Sequence, residues 1–418
     1  MGKSKVRRKS LIITSSLSLL GLIISLMALF AGCNNKSDAK IVDHENNKPK
    51  SKTQIVTGAE NKDVWLPLLK NKRVGLAVNA TSTAFNMHIV DYMRSNDISI
   101  EKIFAAEHGF RGDAEPGKKI KDDIDKKTGI KIISLFGKNL KPTDSQLKDL
   151  DIVVFDMQDV GVRFFTFIST MFNLMEACAR NNIPFVVLDR PNPLGDYVDG
   201  PVLEKNCKSF VGMLPIPIVH GLTVGELALM INGEKWLSNG ITCDLKVVEI
   251  KNYSHKTKYV PPVKPSPNLP DYTSIRLYPS LCLFEATSVS VGRGTMFPFK
   301  VYGFPDNKFG DFSFVPQDIP GMQTNPLNEG KLCYGENLAQ INPDNQFFTL
   351  KYFIRAYKLF SDPDKMVTRK RWLELLWGNK LLLSQLKQGL SEEEIKKSYQ
   401  KDLNIYLEKR KKYLLYKL

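Results

Sequence analysis

Short, almost continuously apolar segments alternate with amphipathic segments in the first half of this 418-residue sequence. A strand that is apolar on both faces is buried on both faces, and in a parallel sheet helices provide that cover. The amphipathic segment 169–182 has the spacing of one such helix. The pattern predicts an α/β fold with a Rossmann-like parallel sheet and helices on both faces. No G-x-G-x-x-G follows the first strand, so a dinucleotide site is not expected. The apolar segments are 73–80, 100–108, 130–137, 151–159 and 183–193.

The N-terminal residues predict export. Five basic residues lie among the first ten, and Leu11 to Phe30 is an uncharged run long enough to cross a bilayer as a helix. Ala31-Gly32-Cys33 follows, which is the small-small-Cys ending of a bacterial lipoprotein signal peptide, although Phe30 stands where Leu is usual. We therefore interpret residues 1–33 as a signal peptide with lipidation at Cys33, and residues 34–54 as a flexible tether. An uncleaved anchor or an ordinary signal peptide are the alternatives, and each also exports the chain.

Charge and composition exclude several classes of protein. The formal charge is +15, which suits polyanions such as nucleic acid or anionic wall polymers. No RNA-binding aromatic signature, zinc-finger spacing or basic zipper is present, so nucleic acid is not an expected partner. Five isolated cysteines and five scattered histidines show neither a disulfide framework nor metal-ligand spacing. The chain has no HExxH, GxSxG, SxxK or kinase motif, which disfavours an esterase or amidase.

The sequence divides near residue 275, giving a catalytic domain over 55–275 and a C-terminal domain over 276–418. Residues 259–305 are rich in Pro and Gly and predict ordered loops that line a cleft. The tail is predicted to be helical, because Ser391 and Glu394 form a capping box before a run of apolar residues at helical spacing. We interpret the many lysines of this tail as the solvated face of its helix.

Three of the apolar strands run directly into polar clusters. These clusters are Glu107-His108-Gly109, Asp156-Met157-Gln158-Asp159 and Asp189-Arg190-Pro191-Asn192. Ligands of open parallel sheets bind beyond the carboxyl ends of the strands, so we expect the clusters to share one edge.

Glycoside hydrolysis commonly uses two carboxyl groups, an acid and a base or nucleophile. Glu107 is the predicted acid, since a Glu at a strand end can be partly desolvated and its pKa raised. Alternatively, it holds a loop by hydrogen bonds. Asp159 is the favoured second carboxylate, with Asp156 and Glu285 behind it, but Asp159 can equally anchor Arg163. His108 is a candidate to orient Glu107 or to contact sugar.

Arginines in the candidate loops suit a substrate with a carboxylate, because a guanidinium binds it through two hydrogen bonds. Each of them can instead brace a buried Asp, and Asn268 can either contact sugar or form a turn. The predicted substrate-binding residues are Arg111, Asp156, Gln158, Arg163, Arg190, Asn192, Asn268, Glu285 and Arg293.

Seven long motifs follow one another along the chain: AAEHGFRGDAEPG (105–117), VFDMQDVGVRFFTFIST (154–170), VVLDRPNPLG (186–195), GPVLE (200–204), SFVGMLPIPIVHGLTVGELALM (209–230), PSPNLP (265–270) and LFEATSVSVGRGT (283–295). Together and in this order they resemble the exo-β-N-acetylmuramidase family, glycoside hydrolase family 171, formerly a family of unknown function. The resemblance implies a Rossmann-like domain, a smaller C-terminal domain and a cleft between them. It implies release of N-acetylmuramic acid (MurNAc) from non-reducing ends of peptidoglycan fragments such as MurNAc-GlcNAc, without metal or organic cofactor. The family's EHG glutamate falls on Glu107.

Four positions depart from the family pattern. Phe165 and Phe167 stand where Tyr is frequent, Val291 replaces a Glu, and Ala286 replaces a Gly. Loss of polar groups from a site can change specificity. A non-catalytic peptidoglycan-binding lipoprotein on the same fold is therefore the alternative function.

Overall fold

The computed structural model describes residues 54–106, 109–111, 123–137 and 139–418. The strands are β1 Arg73–Val78, β2 Thr83–Ala84, β3 Met87–His88, β4 Ser99–Ala105, β5 Asp123–Ile124, β6 Lys131–Ser134, β7 Ile152–Asp156, β8 Phe185–Leu188, β9 Leu245–Val248, β10 Val301–Phe304, β11 Phe312–Phe314 and β12 Cys333–Asn337. The helices are α1 Lys62–Leu69, α2 Ile89–Arg94, α3 Asp144–Leu147, α4 Phe167–Arg180, α5 Val224–Gly233, α6 Tyr272–Leu281, α7 Lys351–Leu359, α8 Lys370–Trp377, α9 Leu382–Lys387 and α10 Glu392–Lys411.

A seven-stranded sheet with the order β5-β6-β4-β1-β7-β8-β9 forms the centre of the larger region. All its pairs are parallel except the edge pair β5-β6. The chain builds β1, β4 and β6 in one direction and then returns to add β7, β8 and β9 on the other side of β1. This is the doubly wound order of a Rossmann-like fold, and the direction reverses between β1 and β7. The predicted fold class is confirmed.

Helices cover both faces of this sheet, as the continuous apolar strands predicted. Val74, Leu76 and Val78 of β1 pack with Trp65 of α1 and Ile89 of α2 on one face. On the other face Val153 and Phe155 of β7 pack with residues of α4 and α5, including Met171, Phe172 and Leu227. Burying a large apolar side chain contributes roughly 1.5–3 kcal/mol, so these two layers are the main source of stability.

The smaller C-terminal region has its own three-stranded antiparallel sheet, ordered β10-β12-β11, and four helices, α7 to α10. Helix α10 begins at the predicted capping box, where Ser391 Oγ accepts from Glu394 N at 3.3 Å and Ser391 N donates to Glu394 Oε2 at 2.8 Å. Its predicted apolar face is buried: Ile395, Tyr399, Leu403 and Tyr406.

The two regions share one continuous hydrophobic core, which runs from Ala77 of β1 to Tyr406 of α10. The predicted division near residue 275 falls within α6. Five cysteines of the described residues are unpaired and buried: Cys178, Cys207, Cys243, Cys282 and Cys333. No helix in the described ranges is both long and apolar enough to span a membrane. The predicted signal peptide, Cys33 and all of the predicted tether except Gln54 lie outside those ranges.

Candidate active site

The loops that follow β1 and β7 meet where the sheet changes direction. Ser82 Oγ donates to the main-chain oxygen of Asp156, and Gln158 N donates to Thr81 Oγ1 at 3.0 Å. Thr81 and Ser82 belong to the first loop, Asp156 is the last residue of β7, and Gln158 belongs to the second loop. Parallel strands end on one side of the sheet, so these loops are brought together by the fold itself.

Asp156 and Arg190 form a buried ion pair beneath these loops. Arg190 Nε lies 2.5 Å from Asp156 Oδ1 and Nη2 lies 2.8 Å from Oδ2, with side-chain exposures of 2% and 0%. Nη2 also donates to the main-chain oxygen of Thr83 at 2.9 Å. The second and third polar clusters therefore meet as predicted. Asp156 and Arg190 neutralise each other away from solvent in this structure, and their contact with substrate stays a prediction.

Asp159 is paired with His220, which sequence reasoning missed. Leu222 N donates to His220 Nδ1 at 3.2 Å, which leaves the ring proton on Nε2, 3.2 Å from Asp159 Oδ2. The same oxygen accepts from Gly161 N at 2.7 Å, and the carboxylate is 4% exposed. Asp159 thus stabilises its own loop. It does not anchor Arg163, and that interpretation is wrong.

Arg163 is fully buried and makes no ion pair among the described residues. Its guanidinium donates four hydrogen bonds of 2.7–2.9 Å to main-chain oxygens. Burial lowers the pKa of Arg163 to about 9. The four oxygens accept from Nη1 and Nη2, whereas the buried Nε has no partner among the described residues. The guanidinium is enclosed in this structure, and contact of Arg163 with substrate stays a prediction. The acceptors belong to Pro201, Ile216, Leu376 and Trp377.

The three predicted amide side chains are also enclosed, with exposures of 2% for Gln158, 3% for Asn192 and 1% for Asn268. Gln158 and Asn192 donate to the main chain at Pro191 and Leu222 respectively. Asn268 lies in a turn, but its Nδ2 donates to the oxygen of Met322 at 3.1 Å and its buried Oδ1 has no partner among the described residues. Its side chain therefore does not form an Asx turn, and that interpretation is wrong. The structure places none of the three on an accessible surface, and their contact with substrate stays a prediction.

Arg111 bridges two carboxylates next to the loop that carries the first cluster. It donates to Asp91 at 3.1 Å and to Asp125 at 2.9 Å. Burial by itself would raise the pKa of Asp125, but hydrogen bonds from Arg111 and Thr128 lower it to about 2. Arg111 therefore pairs with the buried Asp125, as the alternative interpretation of the arginines allowed. Glu107 and His108 lie outside the described residues, so their predicted catalytic roles remain predictions.

Glu285 and Arg293 differ from the other predicted residues because they line an open pocket of about 430 Å³. Arg293 Nη2 lies 2.5 Å from Glu285 Oε1, with side-chain exposures of 30% and 22%. Gly292 and Gly294 on either side of Arg293 have φ of 75° and 76°, which an L side chain rarely adopts. These glycines let the loop turn tightly and direct Arg293 to the pocket.

Four further pocket residues were missed from sequence: Gln323, Asn325, Thr368 and Arg369. Arg369 Nη2 donates to the main-chain oxygen of Glu285. Gln323 Oε1 lies 3.4 Å from Arg293 Nη1. They come from loops without a local motif, so no sequence signal could have assigned them to this site.

Two family models match nearly the whole described chain. The model described as exo-beta-N-acetylmuramidase NamZ, N-terminal, covers residues 74–273, and its C-terminal counterpart covers residues 276–416. The chain belongs to the exo-β-N-acetylmuramidase family.

Similar proteins agree with this membership. The peptidoglycan beta-N-acetylmuramidase NamZ of Bacillus subtilis (strain 168) is 39% identical over 394 residues, which cover 88% of this chain and 93% of the relative. Two crystal structures of DUF1343 family proteins from Bacteroides fragilis NCTC 9343 have TM-scores of 0.81 and 0.76, at 44% and 30% identity. Each covers 87% of this chain and 99% of its own.

The departures from the exo-β-N-acetylmuramidase pattern lie at buried positions. Phe165 and Phe167 pack edge-to-face with centroids 4.8 Å apart, and they are 8% and 3% exposed. Ala286 is fully buried and Val291 is 5% exposed at the pocket wall. Three of the four exchanges therefore alter the core, and one alters the wall of the pocket.

Proposed function

We propose that this chain is an exo-acting β-N-acetylmuramidase that releases MurNAc from the non-reducing ends of peptidoglycan fragments by carboxylate acid/base hydrolysis. The observation that carries the proposal is the family match over residues 74–416, with the same activity named for the Bacillus subtilis relative. The open pocket at Glu285 and Arg293 supports it, because a volume of about 430 Å³ is sufficient for a sugar ring.

In this proposal Glu107 protonates the leaving oxygen and Glu285 replaces Asp159 as the favoured second carboxylate. Accessibility is the reason: Glu285 is 22% exposed in a pocket, whereas Asp159 is 4% exposed and Asp156 is fully buried. A carboxylate that faces an anomeric carbon or its attacking water must reach the pocket. The contact with Arg293 orients Glu285 and compensates its charge.

The lactyl carboxylate of MurNAc needs a cation within hydrogen-bond reach. Arg293 and Arg369 both line the pocket, and each still has N–H groups that are not used by its contact with Glu285. We assign recognition of the lactyl group to these two arginines. The neighbouring amide of Gln323 suits the hydroxyl or acetamido groups of the sugar.

The proposal also includes the location of the protein. The chain is exported and is attached to the extracytoplasmic side of the membrane as a lipoprotein, through Cys33. The uncharged run Leu11 to Phe30 and the small-small-Cys ending support this location. Metabolic labelling with an alkynyl fatty acid would test this: label is expected in the full chain and should be absent from Cys33→Ala.

Hydrolysis is tested by incubating the full chain, in mild detergent, with a chromogenic MurNAc β-glycoside and with MurNAc-GlcNAc. Free MurNAc should appear with the wild type and fall by roughly a hundredfold or more in Glu107→Gln, because the acid is lost while the volume is retained. Saturable binding without release of MurNAc would contradict the proposal and favour the non-catalytic binding protein.

A further inference from the structure

The positive charge of this protein is concentrated in its C-terminal helices. Residues 351–418 contain seventeen Lys and Arg but eight Asp and Glu, a formal charge of +9 out of +15 for the whole chain. Lysines such as Lys397 and Lys401 of α10 are exposed, as expected of a solvated helix face. Three others surround a pocket, and these require a separate explanation.

This second pocket has a volume of about 230 Å³ and lies between α8 and α9. Leu373, Leu382 and Leu383 form its apolar wall and Trp377 its base. Its lysines are Lys370, Lys380 and Lys387. An apolar wall with cations beside it suits a ligand that has a small apolar part next to an anionic group.

Trp377 also lines this pocket. The residue is 1% exposed, and its Nε1 is buried without a partner. The ring packs against Phe348 and Tyr399, which fixes its position at the pocket.

The lysines are available for an anion. Lys370 and Lys380 have no ion-pair partner within the part of the chain that the structure describes, whereas Lys387 lies 2.6 Å from Asp364. Glu374, the one acidic residue of the pocket, is neutralised by Arg371 at 2.8 Å. The local charge is therefore positive even before the rest of the region is considered.

The base of the pocket is held rigidly. Arg163 binds the main-chain oxygens of Leu376 and Trp377 at 2.9 and 2.8 Å. Gly378 follows with φ of 101° and ends α8, and a side chain there would meet the Arg163 guanidinium at 2.6 Å. A binding site held in place before its ligand arrives loses less entropy on binding.

We propose that this pocket binds a short peptide that ends in a free carboxylate and carries small apolar side chains. The carboxylate lies between Lys370 and Lys380, and a methyl side chain contacts the leucines. Alanine-terminated peptide stems of peptidoglycan have this chemistry. The choice of this ligand rests on the proposed function, since it assumes that the enzyme works on peptidoglycan.

The site is separate from the Glu285 pocket, with which it shares no lining residue. Its role would be to retain the enzyme on peptide-bearing wall material while the glycan end is hydrolysed elsewhere. Binding at this pocket can therefore be measured independently of the release of MurNAc.

The test uses the full chain in mild detergent, labelled with ¹⁵N in its four tryptophan indoles. The probe is diacetyl-Lys-D-Ala-D-Ala, and the comparison ligands are the same peptide with a C-terminal amide and sodium acetate. Trp377→Phe assigns the indole signal. We expect a saturable shift of the Trp377 N–H with the free peptide, and at least roughly tenfold weaker binding of the amide by calorimetry.

Two double variants with the same change in charge separate this pocket from the general basic surface. Lys370→Glu/Lys380→Glu should weaken binding of the free peptide by roughly tenfold or more, while Lys397→Glu/Lys401→Glu should leave it within about twofold. Calorimetry on these variants does not depend on the folding of Trp377→Phe. Both variants should release MurNAc from MurNAc-GlcNAc at the wild-type rate.

Three outcomes would overturn the proposal: no binding of the free peptide, equal weakening in the two double variants, or an equal Trp377 shift with acetate alone. If instead the proposed function is wrong, the wild type will release no MurNAc. Peptide binding with the expected variant pattern would still support the pocket in that case.

Discussion

Arg163 Nη2 donates to the main-chain oxygen of Trp377 at 2.8 Å, although the two residues are separated by 214 positions in the sequence. The loop after β7 in the larger region is thereby joined to the end of α8 in the smaller one. The sequence predicts that Arg163 binds substrate, because it lies in a polar motif. In the structure it connects the two regions from inside the core.

Arg163→Met should strongly destabilise the protein. The change leaves the buried main-chain oxygens of Pro201, Leu376 and Trp377 without donors, and we expect a loss of about 3–5 kcal/mol in the free energy of unfolding. Urea unfolding followed by tryptophan fluorescence measures it. Arg73→Met is the matched control, since Arg73 is half exposed and pairs with Asp151 at the surface. A loss of similar size in both variants would contradict the structural role of Arg163.

Glu285→Gln should abolish most of the MurNAc release while the fold is retained. If Glu285 is the second carboxylate, kcat should fall by roughly a hundredfold or more. Glu336→Gln is the control, because Glu336 forms a comparable ion pair with Arg355 at 3.0 Å and is 33% exposed, yet does not line the pocket. Equal activities of the two variants would return Asp159 to the position of favoured second carboxylate.

Asp189 should make stability depend on pH. Burial raises the pKa of Asp189 to about 7 from an ordinary 3.8, so the folded state favours the protonated carboxyl. The free energy of unfolding that this preference contributes is fully present at low pH and is lost as pH rises through 7. Relative to Asp189→Asn, the wild type should lose roughly 3–5 kcal/mol of unfolding free energy between pH 4 and pH 8. The carboxylate accepts from Arg190 N, Thr223 Oγ1, Gly225 N and Tyr416 Oη.

Asp151→Asn is the control for this measurement. Hydrogen bonds from Arg73 lower the pKa of Asp151 to about 2, so its contribution is present above pH 4 and is lost on acidification. The two variants should therefore differ from the wild type in opposite directions. A parallel pH dependence for wild type and Asp189→Asn would show that Asp189 does not titrate in this range.

Phe85 occupies a strained position in the turn between β2 and β3. Its φ is 49° and its side chain is 57% exposed. Phe85→Gly and Phe85→Ala both remove the ring, but only glycine adopts a positive φ without strain. The glycine variant should therefore be more stable than the alanine variant by about 1 kcal/mol. Chemical unfolding of the two variants compares them directly, and equal stabilities would mean that the turn relaxes in solution.

Much of the fold followed from local patterns. The strand segments around 73–80 and 151–159 were recognisable because a run that is apolar on both faces suits a covered parallel sheet. Ser391 and Glu394 marked the start of α10 because a capping box satisfies the first free N–H groups of a helix without help from elsewhere. Strand β9 was not predicted, since its burial alternates and lacks a continuous apolar run.

Local patterns predicted less about the candidate site. The second and third polar clusters meet at the strand ends as predicted, but the contacts of their residues depend on partners from distant segments. Asp156 forms an ion pair with Arg190, and Asp159 is hydrogen-bonded to His220, which lies 61 positions further along the chain. A polar side chain has the same appearance in a sequence whether its partner is a substrate or another residue.

The sequence by itself determined the α/β layers, the helical tail and the edge of the sheet where polar groups gather, because hydrophobic periodicity and capping act over a few residues. The tertiary structure decided which polar groups remain accessible. Hydrogen bonding between distant segments encloses Arg163, Gln158 and Asn268, and it leaves Glu285 and Arg293 at an open pocket. The physical reason is that burial is a property of the packed chain and not of any local segment.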